Sequence, residues 1–165
     1  MLIFERMRFY LIPILATFLL LMGGMSHANG FQITDTQGKT HTLAGYKGKW
    51  VLVNYWATWC PPCLEEIPDL VALHEDRRNN LVVIGVALDY RSDRQVIDFA
   101  DKLQVTYPIV LGTPAITRQI GPVQGLPTTY LFNPDGRLVA QQVGAITRES
   151  VQKYIASQNS RTQKK

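Results

Sequence analysis

Trp50-Val51-Leu52-Val53-Asn54-Tyr55-Trp56-Ala57-Thr58-Trp59-Cys60-Pro61-Pro62-Cys63 changes character twice within fourteen positions. Trp50 to Trp56 is apolar and β-rich, the pattern of a strand buried on both faces. Ala57-Thr58-Trp59 leads out of it. From Pro61 the period becomes helical, with Leu64, Ile67, Val71 and His74 three to four residues apart. Pro68 is expected to kink that helix, and Asn79-Asn80 to end it. Two cysteines therefore stand where a strand passes into a helix. Outward from there, Leu81 to Leu88 reads as a second buried strand. Ser92-Asp93-Arg94-Gln95 is a capping box opening a helix with Val96, Phe99, Ala100 and Leu103 on one face. Pro108 to Leu111 suits a short strand and Ala115 to Ile120 a short helix. Thr128 to Phe132, the turn Asn133-Pro134-Asp135-Gly136 and Arg137 to Val143 form an antiparallel pair. Thr147 caps a last helix carrying Val151, Tyr154 and Ile155 inward. Upstream, Phe31 and Ile33 alternate with polar residues, Thr36 to Lys39 turns, and Thr40 to Leu43 returns as a short strand. The order βαβα followed by ββα, behind an N-terminal β-hairpin, predicts an α/β fold: a central mixed sheet flanked by helices in three layers.

A chain of 165 residues suits one domain, and 46% hydrophobic content excludes a disordered one. The formal charge of +4 is too mild to indicate a nucleic-acid partner, and none is expected. The first 28 residues differ from the rest. Glu5, Arg6 and Arg8 precede the uncharged apolar run Phe9 to Met22, and Ser26-His27-Ala28 places small residues where a signal peptidase reads. This is the layout of a signal peptide. The run is shorter than the roughly 20 residues of a full membrane span. Residues 1–28 are thus read as a signal peptide or an N-terminal membrane anchor, 29–157 as the domain, and 158–165 as a polar flexible tail. Under either reading of the leader, the domain leaves the cytoplasm.

That compartment sharpens the meaning of Cys60 and Cys63, the chain's two cysteines. Closing so short a loop constrains the unfolded chain by only about 2 kcal/mol, so the pair is poorly placed to staple the fold and well placed to exchange. Thiolate, not thiol, attacks a disulfide. Unpaired N–H groups and the helix dipole favour negative charge at a helix start. Cys60 is therefore expected to be the exposed nucleophile and Cys63, one turn in, the buried resolving thiol. Pro61 and Pro62 stiffen the loop at little cost in hydrogen bonds. A zinc site needs further ligands, and only His27, His41 and His74 exist. Haem attachment needs His after the second cysteine, where Leu64 stands. Paired thiolates also suit Cu(I), but no Met follows Met25. No metal or cofactor is expected.

Val51 to Cys63, with Gly125-Leu126-Pro127-Thr128 and Gly144-Ala145, resembles the thioredoxin fold, and within it the exported TlpA/ResA/DsbE-like thiol–disulfide oxidoreductases. The resemblance spans Phe31 to Ile155. It implies a thioredoxin-like three-layer sandwich and a cis Pro127 covering the cysteines, with Leu126 offering its backbone to a substrate strand. Trp59, Pro61 and Pro62 would border that substrate. Cytoplasmic thioredoxins carry a buried Asp where this chain has Asn54. The resemblance implies instead that Glu66 takes the proton from Cys63, its carboxyl made more basic by burial, while neighbouring Glu65 faces solvent. It further implies a periplasmic protein, soluble or tethered to the inner membrane through residues 9–25. Such a protein would reduce disulfide-bearing proteins, such as apocytochrome c or a copper-site assembly protein, with electrons from a membrane thiol donor. An oxidase donating its disulfide, and a non-catalytic Cu(I)-binding module, are the alternatives. A peroxidase would want Thr at the position of Ala57.

Overall fold

A computed structural model describes residues 30–162. The first strands, β1 (Gln32–Thr34) and β2 (Thr40–Thr42), pair antiparallel with Ile33 opposite His41. The main sheet holds β3 (Trp50–Trp56), β4 (Leu81–Ala87), β5 (Ile109–Leu111), β6 (Thr128–Phe132) and β7 (Leu138–Val143) in the order β5-β4-β3-β6-β7. β3, β4 and β5 run parallel, whereas β6 and β7 run antiparallel to their neighbours. The helices are α1 (Pro61–Glu75), α2 (Asp93–Lys102), α3 (Pro114–Ile120) and α4 (Arg148–Thr162).

Every residue of β3 is buried, because this central strand is covered on both faces. Leu52 and Trp56 join the core under α1, α2 and α4. Val51, Val53 and Tyr55 join a second core with Phe31, Ile33 and Leu43 of the hairpin region and Ile120 of α3. The hairpin region is tied to the sheet edge by the Thr36 amide donating to the Ile109 carbonyl at 2.8 Å. Within it His41 is buried between the Asp35 carboxylate, 2.8 Å from Nε2, and the Tyr46 hydroxyl. The architecture is the mixed sheet flanked by helices that the element order implies, and with its N-terminal hairpin it is the thioredoxin-like sandwich that the resemblance implies.

Two local expectations change. The buried stripe of α1 is Cys63, Glu66, Ile67, Leu70 and Leu73, so Leu64, Val71 and His74 are only half-buried. The helix is turned to place Cys63 and a carboxyl against the sheet. The helix runs through Pro68, which lies on its exposed side. Finally, α4 continues to Thr162 instead of giving way to a tail at 158. Its polar last turns need no apolar face, since Val151 and Ile155 already anchor the helix. The leader, residues 1–28, lies outside the described residues. No helix among the described residues is long and apolar enough to cross a membrane.

Leu70 is wholly buried between α1 and the sheet. Leu70→Ala is expected to cost about 2–5 kcal/mol, read as a lower urea midpoint with unchanged slope.

Candidate active site

The end of β3 delivers its chain directly to the cysteines. The Cys60 amide donates to the Ala57 carbonyl at 3.2 Å, closing a turn, and Cys60 becomes the N-cap of α1 with extended backbone. Its carbonyl accepts from the amides of Cys63 and Leu64 at 3.0 and 3.2 Å. Pro61 and Pro62 occupy the first helical positions, where a missing N–H is tolerated. They also remove two of the donors that could face a sulfur, leaving the helix dipole as the larger local support for a Cys60 thiolate.

Cys60 and Cys63 are joined as a disulfide, with Cα atoms 5.3 Å apart. Cys60 was expected to be exposed, yet only 3% of its surface is accessible, against 0% for Cys63. Bonding to Cys63 turns its sulfur into the core that holds Trp56, Ala57 and Ile67. The exposed parts of the site are Trp59, at 58%, and the two prolines. Trp59 is held by its indole N–H donating to the Asp89 carbonyl at 3.0 Å. A second link fixes the same loop: Gln95 of α2 donates to the Thr58 hydroxyl at 3.2 Å and accepts from the Arg91 amide at 3.0 Å. The Ser92 hydroxyl caps the Gln95 amide, while the Gln95 side chain reaches past the N-cap to the Arg91 amide and braces the redox loop.

The Leu126–Pro127 peptide is cis. The pairing of Tyr55 with Thr128 places it at the same end of the sheet as the turn into Cys60. Pro127 is buried, and Leu126 packs against the core that contains both cysteines. The Pro127 carbonyl accepts from the Gly144 amide at 2.9 Å, while the backbone N–H and C=O of Leu126 make no hydrogen bond among the described residues.

Glu66 lies one helical turn beyond Cys63, and 2% of it is exposed. One carboxylate oxygen accepts from Asn54 Nδ2 at 2.6 Å, the other from the Ile146 amide at 2.9 Å. Asn54 also donates to the Thr129 hydroxyl at 3.1 Å. Burial pushes the Glu66 carboxyl up to about 7, against the two hydrogen bonds that pull it down. A carboxyl so poised exchanges a proton readily near neutrality. Glu65 faces solvent. Asn54 therefore replaces a buried acid with a group that orients one. The visible signal for that role was one amide inside an otherwise apolar strand. The Ile146 amide and the Gln95 brace left no signal in the pattern. Among the described residues no group of three or more His, Cys, Asp or Glu side chains converges as metal ligands.

The AhpC/TSA family matches residues 25–141. The chain is 34% identical over 130 residues to the thiol-disulfide oxidoreductase ResA of Bacillus subtilis, covering 79% of this chain and 73% of that protein. It is 33% identical over 130 residues to the thioredoxin-like protein YneN of the same organism, covering 78% and 76%. Among solved structures, a thiol:disulfide interchange protein of the thioredoxin family from Chlorobium tepidum superposes with a TM-score of 0.70 at 27% identity, covering 78% of this chain and 92% of that one. With a CxxC pair at a helix start, these likenesses make the chain a member of the AhpC/TSA family of thioredoxin-like proteins and a thiol–disulfide oxidoreductase.

Proposed function

We propose that the protein is an exported reductase of protein disulfides. The observation that carries this reading is the buried Glu66 carboxyl, held by Asn54 and Ile146 one turn from Cys63. In the reduced enzyme, the Cys60 thiolate attacks a substrate disulfide. A mixed disulfide forms with Cys60, and the first substrate sulfur leaves as thiolate. Glu66 then takes the Cys63 proton. The resulting thiolate attacks the Cys60 sulfur and expels the second substrate sulfur. Two electrons pass to the substrate, and the pair ends oxidised. The unpaired backbone of Leu126, next to Pro127, aligns the substrate as an added strand. Trp59, Pro61 and Pro62 provide the exposed rim against which it lies. A membrane thiol carrier returns the pair to its reduced form. The leader, cleaved or retained as an anchor through residues 9–25, delivers the domain to the periplasm. Apocytochrome c and copper-site assembly proteins are the substrates best suited, since both present cysteine pairs that must be reduced before loading.

Cys63→Ser, expressed with its leader, is expected to accumulate mixed disulfides at Cys60 with a small set of exported cysteine-pair proteins. Equilibration of the parent with glutathione fixes the direction. A potential well below that of the glutathione pair supports the reductase, and one well above it makes the protein an oxidase, since each ~30 mV is tenfold in equilibrium.

A further inference from the structure

The main sheet has two ends, and charge separates them. Trp56 closes β3 at the redox end, and the strand spans about 20 Å back to Trp50 at the other. Several segments meet at that far pole. The Trp50 amide donates to the Asn80 carbonyl at 2.9 Å, Asn80 Nδ2 donates to the Gly48 carbonyl at 2.7 Å, and the Gly48 amide donates to the Pro134 carbonyl at 2.8 Å. These bonds set Lys47 and Lys49 beside the turn Arg77–Asn79 and the hairpin turn that leads to Arg137. The end of α4 joins them: Gln158 and Asn159 line one cleft with Trp50, Asn133 and Pro134, and Arg161 stands in the last turn. All of these cations, and Arg78, are exposed. The neighbouring acids are largely engaged, Asp76 with Arg78 and Arg148, and Asp135 with Arg137. Lys47, Lys49, Arg77 and Arg161 make no ion pair among the described residues, with Glu75 left to oppose them. Around the redox loop the exposed charges run the other way: Glu65, Asp89 and Asp93 against Arg91, with Arg94 paired to Asp98. The chain also enters at the basic pole. Gly30, the first described residue, lies against Leu43, which also lies beside Gly136 of the hairpin turn, and Phe31 packs edge-on against Phe132 at 5.8 Å. Leu138, a large apolar side chain left 49% exposed, pairs with Phe132 at this same end.

We propose that this pole is a docking surface for an anionic phospholipid bilayer, and that it holds the domain with the redox end pointing away from the membrane. The assignment rests on the reading that the leader exports the domain. The leader joins at Gly30, so it brings the basic pole, not the redox loop, to the bilayer. From Met25, where the apolar stretch ends, to Gly30 the chain reaches at most about 18 Å, so a retained leader keeps the pole beside the headgroups. Attraction between the cations and anionic headgroups acts within a Debye length of about 8 Å, and each unpaired Lys or Arg at the surface strengthens it about fivefold. A cation already paired to Asp76 or Asp135 adds little, because its partner cancels its charge. Leu138 gives the pole an apolar contact among the cations, the combination by which interfacial segments settle at headgroup depth. Cys60 then faces the aqueous side, about 20 Å above the headgroups. Its partners are cysteines of polypeptides in solution, or on domains that stand clear of the bilayer. Cysteines at headgroup depth are out of its reach.

The test uses protein expressed from the full chain, in the form the leader leaves it, mixed with or reconstituted into phosphatidylcholine vesicles with and without phosphatidylglycerol. Hydrogen exchange is followed segment by segment. Vesicles with phosphatidylglycerol are expected to slow exchange at residues 44–49, 77–80 and 133–138 and to leave 56–63 unchanged. Phosphatidylcholine alone should protect neither region, and added salt should reverse the protection. A variant carrying Lys47→Glu, Lys49→Glu and Arg77→Glu is expected to lose the protection. It should still reduce insulin in solution at the parent rate, because none of these side chains lies near the redox loop. Exchange at the pole that is the same in both kinds of vesicle overturns the proposal, as does protection centred on Trp59. Protection by soluble heparin with none by the anionic vesicles would assign the pole to an acidic macromolecule and overturn the lipid assignment. Failure of the reductase reading shows separately, as absent insulin reduction by the parent with no lipid present.

Discussion

Cys60→Ser is expected to lower disulfide reduction by about three orders of magnitude or more, the scale on which loss of a nucleophile acts. The serine hydroxyl is isosteric but remains protonated at neutral pH, and the partial charge at a helix start is far too weak to ionise it. The fold should be unaffected beyond the loss of a three-residue cross-link, because both positions are enclosed by Trp56, Ala57 and Ile67. Insulin reduction with a chemical thiol donor checks this directly. Cys63→Ser separates the two sulfurs: it retains the first attack and stops at the mixed disulfide. A stoichiometric burst without turnover is its signature. Equal impairment of both variants, with no trapped adduct in Cys63→Ser, would reverse the assignment of attacking and resolving sulfur. Cys60 is 3% exposed in the disulfide form. Its accessibility as a nucleophile must therefore be measured in the reduced protein, where alkylation should reach Cys60 before Cys63.

The fold was legible because its signals are local and dense. An apolar run of seven ends at two cysteines, turn residues sit between Phe132 and Leu138, and Ser92 and Thr147 head helices as N-caps. The packing of α1 was less legible. Hydrophobic period alone favoured Leu64, Val71 and His74 as the inner face, whereas the structure buries Glu66 with Leu70 and Leu73. A carboxyl in a buried stripe violates the pattern, and only its partners explain it. One partner, Asn54, is a side chain twelve residues upstream, and the other is the backbone of Ile146, eighty residues downstream. Backbone donors leave no trace in composition or spacing. The same holds for the Asp89 carbonyl that fixes Trp59. Function was visible where it needed particular side chains at fixed spacing, and invisible where it used the peptide backbone.

Glu66→Gln is the variant with the broadest consequences, because one carboxyl couples catalysis to stability. In the parent, resolution of the mixed disulfide should quicken as pH rises through about 7, where Glu66 becomes ionised and able to accept the Cys63 proton. Glutamine cannot accept it. Turnover should fall about 10²-fold, the lower range for loss of a general base, and the limb near pH 7 should disappear. Stability should move the opposite way. The native carboxyl keeps its proton up to about 7, whereas an unfolded glutamate releases it near 4.5. Between those values the native state binds more protons than the unfolded one, so parent stability falls as pH rises and levels off above about 7. The full difference is about 3 kcal/mol. Glu66→Gln removes this titration and leaves the opposite contribution of His74, whose pKa burial lowers, so the variant should gain stability relative to the parent over the same interval. Urea unfolding of the oxidised proteins at pH 4.5 and pH 8 checks the sign: similar midpoints at the lower pH and a more stable variant at the higher one. A parent that instead gains stability relative to Glu66→Gln between pH 4.5 and pH 8 would mean that the hydrogen bonds from Asn54 and Ile146 outweigh burial. Glu66 would then be a permanently charged anchor for α1 and the loop at Ile146, and the proton of Cys63 would have to leave by another route.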